Sequence, residues 1–128
     1  MDGSGLKALV WIASSLKDLR GFPHGVRQVM GFALYEAQAG GKHPDAKPLR
    51  GFRSAGVLEI VDDHDGDTYR GVYAVRFDDG VYVLHAFQKK SKHGSATPKA
   101  DMDLIRARLE MARRLHESRT EGRKGSSR

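Results

Sequence analysis

Apolar residues follow two rhythms along the chain. Val26, Val29, Met30, Ala33, Leu34 and Ala37 recur at three- and four-residue steps, which predicts a helix with one apolar stripe. Pro23 suits its start and Gly40-Gly41 its end. Met102, Ile105, Leu109 and Ala112 give a second stripe, in a final helix that Thr97 can cap with Pro98 in its first position. A third, short helix, Ser15 to Arg20, opens on "SLKD", a capping-box-like start with Asp18 three residues on.

Elsewhere the runs are shorter and strand-like. Leu6 to Ala13, Val57 to Val61, Tyr69 to Phe77 and Val81 to Lys89 read as strands, and "GKHPDAKPLRGFRSAG" between the second helix and the second strand reads as a loop. "DDHDGD", Asp62 to Asp67, is a solvated hairpin turn; it lacks the later glutamate that a calcium loop requires. Asp79-Gly80 is a two-residue hairpin signal joining the last two strands. The order β-α-α-β-β-β-α predicts an α+β fold: a mostly antiparallel sheet with helices packed on one face, the two N-terminal ones foremost.

Composition narrows the chemistry. With 128 residues the chain is expected to form one domain over 1–117, followed by a polar, Gly/Ser-rich, disordered basic tail at 118–128. There is no cysteine, which excludes disulfides, thiolate metal sites and cysteine nucleophiles and suits a cytoplasmic location. No apolar stretch approaches the roughly 18 residues of a membrane span, and the N-terminus lacks the basic leader and long apolar run of a signal peptide. The six histidines show no metal-ligand spacing. A formal net charge of +6 favours an anionic partner.

The charge is concentrated in places. The apolar run from Val81 to Phe87 breaks abruptly into Gln88, Lys89, Lys90, Ser91 and Lys92. Three cations within four residues repel one another unless an anion lies nearby. With Asp79-Gly80 as a two-residue loop, Val72 faces Phe87 and Arg70 faces Lys89, and strand alternation puts Arg70, His85 and Lys89 on one face of the sheet. Tyr73, Val75, Leu84 and Ala86 then share the other face and meet the helices. Arg70 opposite Lys89 is unfavourable unless a negative group sits between them. A bound phosphate would serve, and so would Glu59 on the neighbouring strand. His85 is either a packed, hydrogen-bonded residue or a group titrating near neutrality. Lys47, Arg50 and Arg53 in "KPLRGFR" form a candidate backbone-binding patch, with Arg76 and Lys99 as further candidates; Arg76 lies about 20 Å from Arg70 at strand rise, too far to share its phosphate.

The segments "TYRGVYAVRF", "VYVLHAFQKKSKHGSATPK" and "ADMDLIRAR" resemble the RelE/HigB-type toxins of bacterial toxin–antitoxin systems, and more narrowly their phage-derived HigB-like branch. The likeness runs through "LVWIASSLKDLRGFP", "AKPLRGF" and "GVLEI" and covers most of residues 8 to 115. It implies a RelE-like fold and a small basic endoribonuclease that cuts mRNA, usually at the ribosome, without metal or other cofactor, and that a helix-turn-helix antitoxin neutralises. It places RNA-cleaving residues at Arg70 and at the basic strand end, Lys89, Lys90 and Lys92. Relatives often carry a late tyrosine or histidine; this chain has no tyrosine beyond Tyr82, and only His93 and His116 lie late. A ParE-like gyrase inhibitor and a non-catalytic RNA-binding phage accessory protein are the competing functions.

The chemistry fits those residue types. In RNA the 2′-oxygen attacks the adjacent phosphorus, and a protein accelerates this by orienting the chain, moving protons and stabilising the added negative charge. The planar fork of Arg70 suits phosphate oxygens. A lysine ringed by cations gives up its proton more readily and so can take part in proton transfer.

Overall fold

Two Asp-Gly pairs compete for the role of tight turn. In the computed structural model, which describes residues 5–52, 55–89 and 97–126, the two-residue turn falls at Asp65-Gly66. Both residues have positive φ, 51° and 84°, the geometry that such hairpins need and that Asp-Gly accepts at low cost. His64 and Asp67 face each other across it, joining β3 (Val57–His64) to β4 (Asp67–Ala74).

Asp79-Gly80 plays a different part. Gly80 is already the first residue of β5 (Gly80–Lys89) and pairs in parallel with Ala8 of β1 (Ala8–Trp11), so closely that a Cβ on it would lie 3.0 Å from the Ala8 carbonyl oxygen. The connection between β4 and β5 is therefore residues 75–79, and the strand expected to reach Phe77 ends at Ala74. This moves the register by two residues from the one that a two-residue loop would set. Arg70 faces Phe87, Val72 faces His85, and Lys89 faces Thr68 rather than Arg70. An even shift preserves the face, so Arg70, His85 and Lys89 still share one side.

A bulge keeps them there. Val72 pairs with His85 but Tyr73 pairs with Val83, leaving Leu84 as the extra residue on β5. Val81, Val83 and Ala86 belong to one hydrophobic cluster and Tyr82, Leu84 and Phe87 to the other, so the alternation inverts between Leu84 and His85. Leu84, expected against the N-terminal helices, is thereby turned to the opposite face.

The sheet runs β1-β5-β4-β3-β2 and is antiparallel apart from β1–β5. Its edge strand β2, Lys47–Pro48, is a two-residue addition inside the segment expected as a loop. Helices α1 (Ser15–Arg20) and α2 (His24–Gln38) cover one face, where Leu19, Val26, Met30 and Ala33 meet Ile60, Tyr73 and Val83. Ser15 does not cap α1; its hydroxyl is buried and donates to the Val83 carbonyl. Helix α3 (Lys99–Ser126) packs Ile105 and Ala112 against Val72, Tyr82 and Leu84 on the second face. The fold is thus α+β in the expected RelE-like order, with a third helix closing the other side of the sheet. α3 also continues through Ser126, past residue 117 where the domain was expected to end; Arg119 on that extension pairs with Asp79 at 3.0 Å. No helix is long and apolar enough to cross a membrane among the described residues.

Candidate functional site

The face shared by Arg70 and His85 becomes a site because two segments rise beside it. The short pairing of β2 with β3 sets Lys47 opposite Glu59 and carries the following loop, Leu49 to Gly51, along the sheet edge. The start of α3 comes down on the other side with Thr97 and Met102. Between them lies an open groove of about 810 Å³. Lys47, Arg50 and Arg70 supply three cations to its lining and Glu59 and Asp45 two carboxylates, while Leu49, Val61 and Met102 form apolar walls.

Arg70 is the groove's most buried cation, with only 5% of its side chain exposed. Its Nη1 donates to Glu59 Oε2 at 3.0 Å and reaches Thr97 Oγ1 at 3.4 Å. The glutamate-centred pair foreseen as an alternative to a bound anion is therefore formed, between neighbouring strands in which Glu59 faces Val72 and Val61 faces Arg70. Thr97 turns its hydroxyl to Arg70.

Lys89 is buried at the end of β5. Relative to Arg70 it occupies the diagonal position, about 7–8 Å away across an antiparallel pair. It is not among the residues lining the groove. Lys90, Lys92 and Arg53 lie outside the described residues.

His85 is buried beside the groove. Its Nε2 bonds Asp101 Oδ1 of α3 at 2.8 Å, and its ring stacks on Phe87 with centroids 4.6 Å apart. Because a carboxylate accepts, Nε2 carries the proton, and Nδ1 is buried with no hydrogen-bond partner among the described residues. Burial pushes the imidazole's pKa below its ordinary value, only partly offset by the bond and charge of Asp101. The side chain is accordingly neutral at pH 7. Its packing is that of a residue that fixes neighbours, with no ring nitrogen turned to the groove.

The remaining expected cations are dispersed. Arg76 stands in the 75–79 connection with its guanidinium 5.5 Å from the Phe77 ring centroid, at the other end of β4 from Thr68 and Lys89. Lys99 is exposed on α3 and pairs with Asp103 at 2.9 Å. Sequence reasoning missed Thr97 as a neighbour of Arg70, Met102 as a wall, and Asp101 as the partner of His85. Nothing local marks them; each depends on where α3 lands.

A second polar cluster closes the opposite end of α3. The Asp79 carboxylate is almost fully buried and accepts from the Tyr82 hydroxyl at 2.8 Å, His116 Nδ1 at 2.7 Å and Arg119 Nε at 3.0 Å. Burial alone would raise its pKa, but the bonds from Tyr82 and His116 and the charges of His116 and Arg119 outweigh burial and hold it below the carboxylate range. Asp78, Asp79 and His116 bring three ligand-type atoms within 4.8 Å of one another, yet the Arg119 guanidinium occupies one flank of that cluster and disfavours a cation there.

A family model described as Phage derived protein Gp49-like (DUF891) matches residues 17–110. The match begins within α1, includes every described residue that lines the groove, and ends within α3. No curated protein and no solved structure matches the chain.

Proposed function

Because the chain belongs to the phage-derived Gp49-like family, we propose that it is the toxin of a type II toxin–antitoxin system, in the HigB-like branch of the RelE-type toxins, and acts as a metal-independent endoribonuclease on mRNA at the ribosome. The observation that carries the reading is Arg70 in the groove floor, with Lys47 and Arg50 along the same lining. An RNA backbone laid in the groove brings its phosphates to these cations. Arg70, already oriented by Glu59, stabilises the charge that develops on phosphorus as the 2′-oxygen attacks. Lys89, Lys90 and Lys92 follow from the adjoining strand end as the proton-transfer and charge-stabilising groups. His85 supports this face from beneath. An antitoxin with a helix-turn-helix domain neutralises the protein by covering the groove or displacing α3.

The test is twofold. Expression without antitoxin should arrest growth and translation, and purified protein should cleave mRNA with or without ribosomes. Continued translation with poisoned DNA gyrase would instead establish the ParE-like activity. A second reading has its own support: the buried Arg70–Glu59 pair is what a structural ion pair looks like, which favours a non-catalytic RNA-binding module. RNA binding without cleavage, and without growth arrest, would select it.

A further inference from the structure

Thr97 and Met102 both line the groove, and Asp101 lies between them in sequence. Met102 belongs to the first turn of α3, its N–H donating to the Pro98 carbonyl at 3.0 Å. Asp101 makes the shorter of two bonds from this segment into the sheet, 2.8 Å to His85 Nε2 against 3.4 Å between Thr97 Oγ1 and Arg70. His85 in turn is immobilised by burial, by its stack on Phe87 and by its place at the bulge opposite Val72. Phe87 faces Arg70, and Arg70 reaches back to Thr97. These contacts close a ring: Asp101, His85, Phe87, Arg70, Thr97. Across the groove the fit is tight, since a Cβ on Gly51 would lie 3.2 Å from the Met102 methyl.

We infer that Asp101 is a positioning residue: by accepting from His85 it seats the first turn of α3, and thereby sets the wall of the groove and the Thr97 contact to Arg70. This rests on the groove being the RNA site. The geometry also says what Asp101 contributes. The contact needs an oxygen at this position to accept the Nε2 proton; the neutral imidazole does not need a negative charge there. An acidic residue in a helix's first turn also interacts with the helix dipole, and Asp101 is placed to do so; Asp103, just past that turn, carries the same charge but pairs with Lys99.

Three variants separate these roles. Amide hydrogen exchange over the first two turns of α3 reports the seating, and fluorescence anisotropy with a 2′-O-methyl oligoribonucleotide, which cannot be cleaved, reports the groove. Asp101→Ala should speed exchange and weaken binding, each about tenfold, the scale of one hydrogen bond to a charged group. Asp101→Asn keeps an accepting oxygen and should restore both to within about twofold of wild type on the same reasoning. Asp103→Ala should change neither. If Asp101→Asn behaves like Asp101→Ala, charge rather than contact is at work and the inference is overturned. Unchanged exchange in Asp101→Ala overturns it as well. If the unaltered protein does not bind the probe, the RNA reading of the groove fails by itself, and exchange still decides whether Asp101 seats the helix.

Discussion

The two ends of α3 are each fastened by an aspartate–histidine bond, and the bonds are nearly equal in length, 2.8 Å at His85–Asp101 and 2.7 Å at Asp79–His116. Their surroundings differ. At the far end the aspartate is buried and gathers donors from Tyr82, His116 and Arg119 about one carboxylate. At the near end the histidine is the buried partner, the aspartate is a quarter exposed, and an open groove adjoins. One end spends its polar groups on closure. The other leaves Lys47 and Arg50 exposed beside a cation already held by Glu59. The same pair chemistry thus serves as a latch where it is surrounded and as a support where it borders open space.

Arg70 should break the comparison most strongly. Arg70→Ala is expected to lower the single-turnover cleavage rate by roughly 10²-fold or more, the scale for losing one oriented charge-stabilising donor. It should also cost about 3 kcal/mol of stability, because Glu59 is left as an uncompensated, mostly buried carboxylate. Removing both, as Arg70→Ala with Glu59→Ala, should return most of the stability and none of the activity. Thermal melts beside cleavage assays on the same samples read both. Cleavage per folded molecule that stays normal in Arg70→Ala would leave Arg70 a structural residue.

The far end should respond in the opposite sense. Asp79→Ala removes the acceptor of three donors and is expected to cost about 3 kcal/mol, the scale for breaking a buried pair from one side. Cleavage by the remaining folded protein should be unchanged. A selective loss of activity at a temperature where the variant is folded would join the two ends into one functional unit.

Acid should separate the ends without mutation. The depressed His85 favours its neutral form in the folded chain. Its stabilisation is complete above the unfolded pKa of 6.5 and declines as pH falls from there through the lower folded value. Asp79 is depressed too, but its contribution is complete above the unfolded value of 3.8 and is lost only below it. Melting temperature against pH should therefore fall in two limbs. His85→Gln should flatten the upper limb and Asp79→Asn the lower. A single limb untouched by His85→Gln would mean that the imidazole is not held neutral.

Much of this was legible beforehand, and the failures have specific causes. The "SLKD" start and the following "GFP" placed α1 at Ser15–Arg20, where it lies, and Asp-Gly did mark a tight turn. Two such pairs lie between strands, however, and local preference could not choose between them; pairing of Gly80 with β1, distant in sequence, decided it. The bulge at Leu84 has no local mark either, since every residue from Val81 to Phe87 suits either face. Arg70 and its two possible counter-ions could be read from strand alternation, whereas Asp101 required knowing where a helix 16 residues beyond His85 would land. "KPLRGFR" was recognisable as a cationic patch but not as an edge strand, because two residues of pairing leave no periodic signal.

The smallest effect sharpens the comparison at single cations. Lys47 and Arg50 are exposed and line the groove, whereas Arg76 is equally exposed but belongs to the far end. All three carry one positive charge, so a purely long-range attraction for RNA would treat them alike, and salt would screen each to the same degree. A groove that seats phosphates would not. Each direct contact on single-stranded RNA contributes about 0.7 to the slope of log affinity against log salt concentration. Lys47→Ala and Arg50→Ala should each reduce that slope by about this amount with stability within about 0.5 kcal/mol of wild type, as is usual for exposed positions. Arg76→Ala should leave the slope where it was. Equal reductions from all three would mean that the anion sees the net charge of the molecule and not the groove.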